Sequence, residues 1–171
     1  FLLACSEQEK VMHQDNTMFL IICSALVLFM TPGLAFFYGG LVRVSSVVSM
    51  MMMSFGSLGL ISVLWIVYGY AISFSNGTDP GFIGIDSIIG LSPEKLFMND
   101  ALAAAKSGDG FPFAFGGFQG TFAIITVALI SGAIADRAKF GSWMVFAGVW
   151  ATLVYFPVAS WVFNFTVVDG R

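Results

Sequence analysis

The chain has 171 residues, of which 58 % are hydrophobic and only 10 % charged, with a net charge of −3 and a mean hydropathy of +0.90. A soluble globular domain carries about 25 % charged residues, so the composition excludes an ordinary water-soluble domain. The slight acidic balance leaves no basic surface for nucleic acid or for anionic lipid headgroups.

Four windows, 16–42, 44–78, 110–135 and 140–168, contain no Asp, Glu, Lys, Arg or His. Each exceeds the roughly 20 residues that cross a hydrocarbon core as a helix. The expectation is therefore an all-α membrane protein with four transmembrane helices, over 16–42, 46–74, 111–135 and 140–164. Residues 1–15 are polar and read as an extracytoplasmic segment. The opening FLLAC resembles the end of a bacterial lipoprotein signal, with Ala4 before Cys5, but five residues are too few to identify one. The first span, 16–42, is long enough at 1.5 Å per residue to reach about 39 Å. Pro32-Gly33 interrupts it midway and Gly39-Gly40 follows, so its helix breakers lie inside its most apolar stretch.

The second span ends in WIVYGYAISF, where Trp65, Tyr68 and Tyr70 suit an aromatic belt at the outer interface. Residues 75–110 form an extracytoplasmic loop: SNGTDPG has turn chemistry, and Ser92, Pro93 and Glu94 signal the start of a short surface helix. Pro112 fits the first turn of the third span. In that span small residues recur every fourth position, Ala128, Gly132 and Asp136 on one line, Ser131 and Ala135 on another. Such rows allow close helix approach in lipid. The fourth span carries Pro157 near its outer end, and 165–171 reads as extracytoplasmic.

Charge placement orients the chain. The two short links hold Arg43, Arg137 and Lys139 against Asp136, whereas the opposite side holds Lys10, Lys95, Lys106 and Arg171 against nine acids. The positive-inside rule places Arg43 and DRAKF in the cytoplasm and both chain ends outside.

Hydrolytic machinery is absent from the pattern. No span contains a carboxylate, and the sole histidine, His13, is in the polar N-terminal segment. No pair of metal ligands has useful spacing, no Gly-rich phosphate loop follows a strand, and no cofactor is implied. NGT at Asn76 and NFT at Asn164 match the glycosylation pattern only weakly. What stands out is aromatic: Phe111, Phe115, Phe118 and Phe122 share one face of the third span, with Gln119 beside them. Trp161 and Phe163 lie near the same outer level, next to Ser160. Phenylalanine stripes commonly face lipid or pack helices. Aromatic faces also attract compact cations, by ~0.5–1 kcal/mol when exposed and ~2 or more when desolvated.

Three stretches in order, MTPGLAFFYGGLVR (Met30–Arg43), FQGTFAIITVALISGAIADRAKF (Phe118–Phe140) and PVASWVF (Pro157–Phe163), resemble the first, third and fourth spans of the ammonium transporter family, the Amt/MEP/Rh proteins. The resemblance covers about residues 15–165. It implies the first four helices of an eleven-helix fold, in which two inverted halves of five helices enclose a pore within each subunit of a homotrimer. On that reading Pro32 bends the first span while Gly33, Gly39 and Gly40 allow close helix contact.

The resemblance also implies roles position by position. Phe122 matches the outer-gate phenylalanine, and Phe118 the aromatic one turn above it, facing the recruitment vestibule. Phe163 falls where many members carry a tryptophan that cradles ammonium, and Ser160 where many have histidine. Gln119, Ser160 and Trp161 are candidate vestibule residues. Ammonium would be recruited at this site, lose a proton and pass as ammonia, with methylammonium as an analogue. The two pore histidines, the acidic residue, the vestibule serine and the second gate phenylalanine of the family belong to later spans, so four helices do not enclose the pore alone. The expectation is an N-terminal portion of a transporter in a bacterial or archaeal plasma membrane, with lipid around it and a PII signal protein as a family partner at the cytoplasmic face. The alternatives are the membrane domain of a non-transporting ammonium sensor, an inert truncated product, and an unrelated four-helix protein.

Overall fold

A computed structural model describes residues 2–75, 83–85, 89–135 and 137–163, with side chains for 15–75, 83–84, 90–135 and 137–162. The SNGTDPG stretch from Asn76 onward, Asp136 and residues 164–171 lie outside the described residues.

Four helical segments are long and apolar enough to cross a membrane: Asp15–Leu41, Val44–Phe74, Phe111–Ile134 and Phe140–Val162. The first is the inner part of α1 (Leu2–Leu41), a single helix that continues through Pro32 and also takes in the polar N-terminal residues. Those residues are thus helical in continuity with the span. The second comprises α2 (Val47–Leu64), a π-turn at Trp65–Gly69 and α3 (Tyr70–Phe74). The third is α5 (Phe111–Ile130), tightening into a 3₁₀ turn at Ser131–Ile134. The fourth comprises α6 (Phe140–Trp150), a second π-turn at Ala151–Tyr155 and α7 (Phe156–Phe163). Backbone groups in lipid have no water to bond, so helices that satisfy their own backbone are the structure this composition requires.

Between the second and third spans, β1 (Ile83–Ile85) and β2 (Ile89–Leu91) pair antiparallel, with Ile83 opposite Leu91. The expected surface helix follows as a 3₁₀ segment, Pro93–Met98, and α4 (Asn99–Lys106). The start signal works differently from its sequence reading. Ser92 is buried and makes no side-chain cap; its backbone N–H donates to Ser75 Oγ at 2.8 Å instead. Phe97 and Met98 then take positive φ angles of 57° and 55°. That sharp corner turns Met98 inward against α5, where it is buried.

The second span packs on each of the others: α2 on α1, α5 and α6, and α3 on α7, while α1 also lies along α5. Its aromatic residues are not the outer belt that the sequence suggests. Trp65 and Tyr70 are buried core residues, and Trp65 Nε1 donates to the Gly116 carbonyl at 3.1 Å. Tyr68 pairs with Thr152 Oγ1 at 2.7 Å. An indole or phenol inside the bundle is tolerated when its polar end finds a partner, and here each partner sits on a neighbouring span. Trp143 follows the same logic, donating from Nε1 to Met53 O and Ser57 Oγ, each at 3.0 Å.

Glycines make these contacts possible. A Cβ at Gly120 would stand 2.8 Å from Trp65, one at Gly116 2.9 Å from Tyr70, one at Gly69 2.7 Å from Phe156 and one at Gly132 2.6 Å from Tyr38. The small-residue rows of the third span are therefore packing surfaces, and Ala128 and Ser131 are fully buried within them. In the first span only Gly39 fits its expected role, lying against Met51 and Val47. Gly33 and Gly40 face open space among the described residues, because the inward line of α1 runs through Thr31, Ala35 and Gly39.

Candidate functional site: an aromatic pair on the third span

Helix α5 begins after Gly110 with Pro112 in its first turn, where a missing N–H costs nothing. One side of the helix is small and buried: Gly116, Gly120, Ala123, Val127 and Ala128 pack inward. The phenylalanine stripe flanks that side as two ring pairs. Phe111 and Phe115 are stacked at 6.3 Å and 16°, and Phe115 also meets Phe74 of α3 at 5.7 Å. This outer pair is tied into the bundle. Phe118 and Phe122 form a second pair, edge to face, with centroids 5.0 Å apart and planes at 85°.

The second pair is the more accessible, with Phe118 half-buried and Phe122 37 % exposed. Both residues are held by hydroxyls on their own helix. Thr121 Oγ1 donates to Phe118 O, and Thr126 Oγ1 to Phe122 O, each at 2.7 Å. An aromatic face is the negative pole of the ring quadrupole, so this pair offers a cation attraction without placing a charge in the span. Gln119, between the pair and the buried face, is 8 % exposed.

The remaining sequence-derived candidates are on α7. Ser160 is half-buried and its hydroxyl donates to Pro157 O at 2.8 Å, so that proton is committed to the backbone. Trp161 is 59 % exposed. Phe163 closes α7, and its side chain lies outside the described residues. The geometry thus brings Phe118, Phe122 and Gln119 together on one helix.

Two features were not anticipated from sequence. The π-turns at Trp65–Gly69 and Ala151–Tyr155 face one another through Phe156, which meets Trp65 at 5.8 Å and Tyr68 at 5.7 Å. Pro157 lies two residues past the end of the second π-turn, within reach of a widened turn that accommodates a residue without an N–H. The aromatic clusters around Trp65 and Phe156 were the only hint. The second feature is a cavity of about 470 Å³ lined by Tyr38, Leu41, Val42, Arg43, Gly132 and Ala135, at the Arg43 end of the bundle and remote from the Phe118–Phe122 pair. Among the described residues no group of three or more His, Cys, Asp or Glu side chains is placed to hold a metal ion.

The sequence profile described as the Ammonium Transporter Family matches residues 18–170. An ammonium transporter of Mycobacterium tuberculosis (strain H37Rv) is 50 % identical over 159 residues, covering 88 % of this chain and 33 % of that protein. The ammonium transporter of Bacillus subtilis is 40 % identical over 154 residues, covering 90 % of this chain and 36 % of its own length. The crystal structure of Candida albicans Mep2 superposes with a TM-score of 0.71 at 29 % identity, over 87 % of this chain and 31 % of that one. This chain therefore spans about a third of the length of the relatives it matches.

Proposed function

Because this chain belongs to the ammonium transporter family, and so to a family of multi-pass membrane transporters, we propose that it forms the outer aromatic entrance of a protein that moves ammonium or ammonia across the plasma membrane. The observation that carries this reading is the Phe118–Phe122 pair, edge to face at 5.0 Å, on a span with no ionisable side chain from Gly110 to Ala135.

A compact cation is drawn to such rings by the quadrupole, and the attraction grows as water is excluded. A fixed carboxylate at the same depth would be costly in the membrane and would hold any cation, whereas rings select a small one that sheds its hydration. Phe163 is assigned to the same recruitment site by its place in the sequence, and Trp161, Gln119 and Ser160 line the approach. The proton leaves at groups supplied by later spans. The charge asymmetry supports the orientation: residues 1–15 and 75–110 lie outside, and Arg43, Arg137 and Lys139 lie in the cytoplasm. The complete protein is a homotrimer in lipid, and a PII signal protein is its cytoplasmic partner.

The test is uptake of radiolabelled methylammonium by the complete protein, in cells lacking other ammonium transporters. Removing one desolvated ring face in Phe122→Ala costs about 2 kcal/mol, which corresponds to a KM raised on the order of thirtyfold, or to a loss of selectivity over other cations. Unchanged rate and selectivity would remove Phe122 from the entrance.

A further inference from the structure

Gln119 is the polar side chain of α5 that the packing leaves unexplained. It is more than nine-tenths buried, yet its amide makes no hydrogen bond with another described residue. The nearby donors are spent elsewhere. Trp65 Nε1 donates to Gly116 O, and the hydroxyls of Thr121 and Thr126 donate to Phe118 O and Phe122 O. Those same hydroxyls bond the carbonyls of the two pair residues, Phe118 and Phe122, whereas the Gln119 amide has no such partner among the described residues. Nor is the amide sealed in. Among the described residues the one enclosed side-chain polar atom without a partner is Thr31 Oγ1, on a different helix. Around Gln119 the helix carries Gly116, Gly117 and Gly120, and Gly117 faces open space.

Helix geometry relates the amide to the rings. Successive residues turn by about 100°, so Gln119 lies roughly 60° around the helix from Phe122. Side chains lean toward the helix N-terminus, so Phe118 and Gln119 both incline toward the Phe111 end, where a ligand would enter. An amide on a largely buried side chain that makes no bond of its own is free to take a partner that reaches it from the open side, whether a ligand or a further part of the protein.

We infer that Gln119 Oε1 is a hydrogen-bond acceptor for a small protonated amine held at the Phe118–Phe122 pair, replacing one of the waters the cation gives up. The inference rests on the aromatic-entrance reading and adds what the rings lack. Aromatic faces compensate positive charge, but they are poor acceptors for the directed N–H groups of ammonium. A carbonyl oxygen supplies a charge-assisted bond, about twice as strong as a neutral one. Gln119 would thereby separate cations that carry N–H donors from those attracted by charge alone.

The test uses the complete protein and methylammonium uptake, with membrane abundance and thermal midpoint measured in parallel. Gln119→Leu and Gln119→Met, the latter of nearly equal length without the amide, are expected to raise KM about tenfold at wild-type abundance and midpoint. Gln119→Asn keeps an uncharged amide oxygen one methylene shorter and is expected to bring KM part of the way back toward wild type. A wild-type KM in the Leu or Met variant would overturn the inference, as would an Asn variant that behaves like Leu. Failure of both apolar variants to accumulate would also overturn it, because the amide would then be a structural tie to another part of the fold. Phe122→Ala, run alongside, separates the two readings. If that variant is impaired while the Gln119 variants keep their KM, only the acceptor role falls. If the complete wild-type protein takes up no methylammonium, the transport reading itself falls.

Discussion

Gly120 and Gly117 are adjacent turns of the same helix with opposite surroundings, which makes them a matched pair for testing how this bundle is held together. A Cβ on Gly120 would stand 2.8 Å from both Cδ1 and Nε1 of Trp65, whereas one on Gly117 meets nothing within 4 Å. Ordinary contact begins near 3.4 Å, so in Gly120→Ala the indole has to withdraw by about 0.6 Å. The indole is poorly placed to withdraw. Trp65 is 3 % exposed, its Nε1 is fixed to Gly116 O, and its ring is wedged against Phe74 and Phe156 at 6.3 and 5.8 Å. Overpacking of this kind costs about 1–3 kcal/mol, and loss of the interhelical hydrogen bond adds roughly 0.6 kcal/mol, at most about 1.7. Against this, replacing a mid-helix glycine by alanine returns about 0.5–1 kcal/mol, a gain that both variants share. Gly120→Ala is therefore expected to be less stable than Gly117→Ala by about 2–4 kcal/mol. Thermal unfolding of the complete protein in detergent, following tryptophan fluorescence, reads the difference as a midpoint lower by several degrees. Equal midpoints for the two variants would refute the claim that glycine at 120 is required for the approach of the second span.

Trp143→Phe keeps most of the ring volume but removes the donor to Met53 O and Ser57 Oγ. A destabilisation of about 1–2 kcal/mol is expected, and an unchanged unfolding midpoint would show that these bonds contribute nothing. A double-mutant cycle of Tyr68→Phe with Thr152→Val probes the bond at 2.7 Å that joins the two π-turn regions. Its coupling energy should be about 0.6 kcal/mol, and strictly additive effects would argue against the contact.

In the first span the unpaired Thr31 hydroxyl sits one residue before Pro32. A proline within a helix removes one hydrogen bond and crowds the preceding turn, yet α1 is continuous across it. A membrane helix tolerates this where neighbouring helices support the site, and α1 has α2 and α5 along it. The breakers within this apolar segment therefore divide into different roles. Gly39 admits Met51 and Val47, whereas Gly33 and Gly40 face away from the described bundle.

The number of spans and the alignment of phenylalanines along one face of the third were legible in the sequence, because the membrane imposes one-dimensional rules. Uncharged windows must be helical, and helical spacing puts Phe118 and Phe122 on one face whatever surrounds them. Tertiary structure decided what those faces meet. Trp65 and Tyr70 have the composition of an interface belt, but the glycines at 116 and 120 draw their rings into the core, and a sequence does not state which glycine lies opposite which ring. The same holds for Ser92, whose buried backbone bond to Ser75 joins residues seventeen positions apart. The π-turns lie where Phe156 packs against Trp65 and Tyr68, a relation between spans that a local pattern does not state. Even the division of the phenylalanine stripe into a pair tied to Phe74 and a pair left accessible depends on where α3 ends beside α5. Local periodicity determined which residues share a surface; only the packing of one helix against another decided which surfaces are filled and which remain open to a ligand.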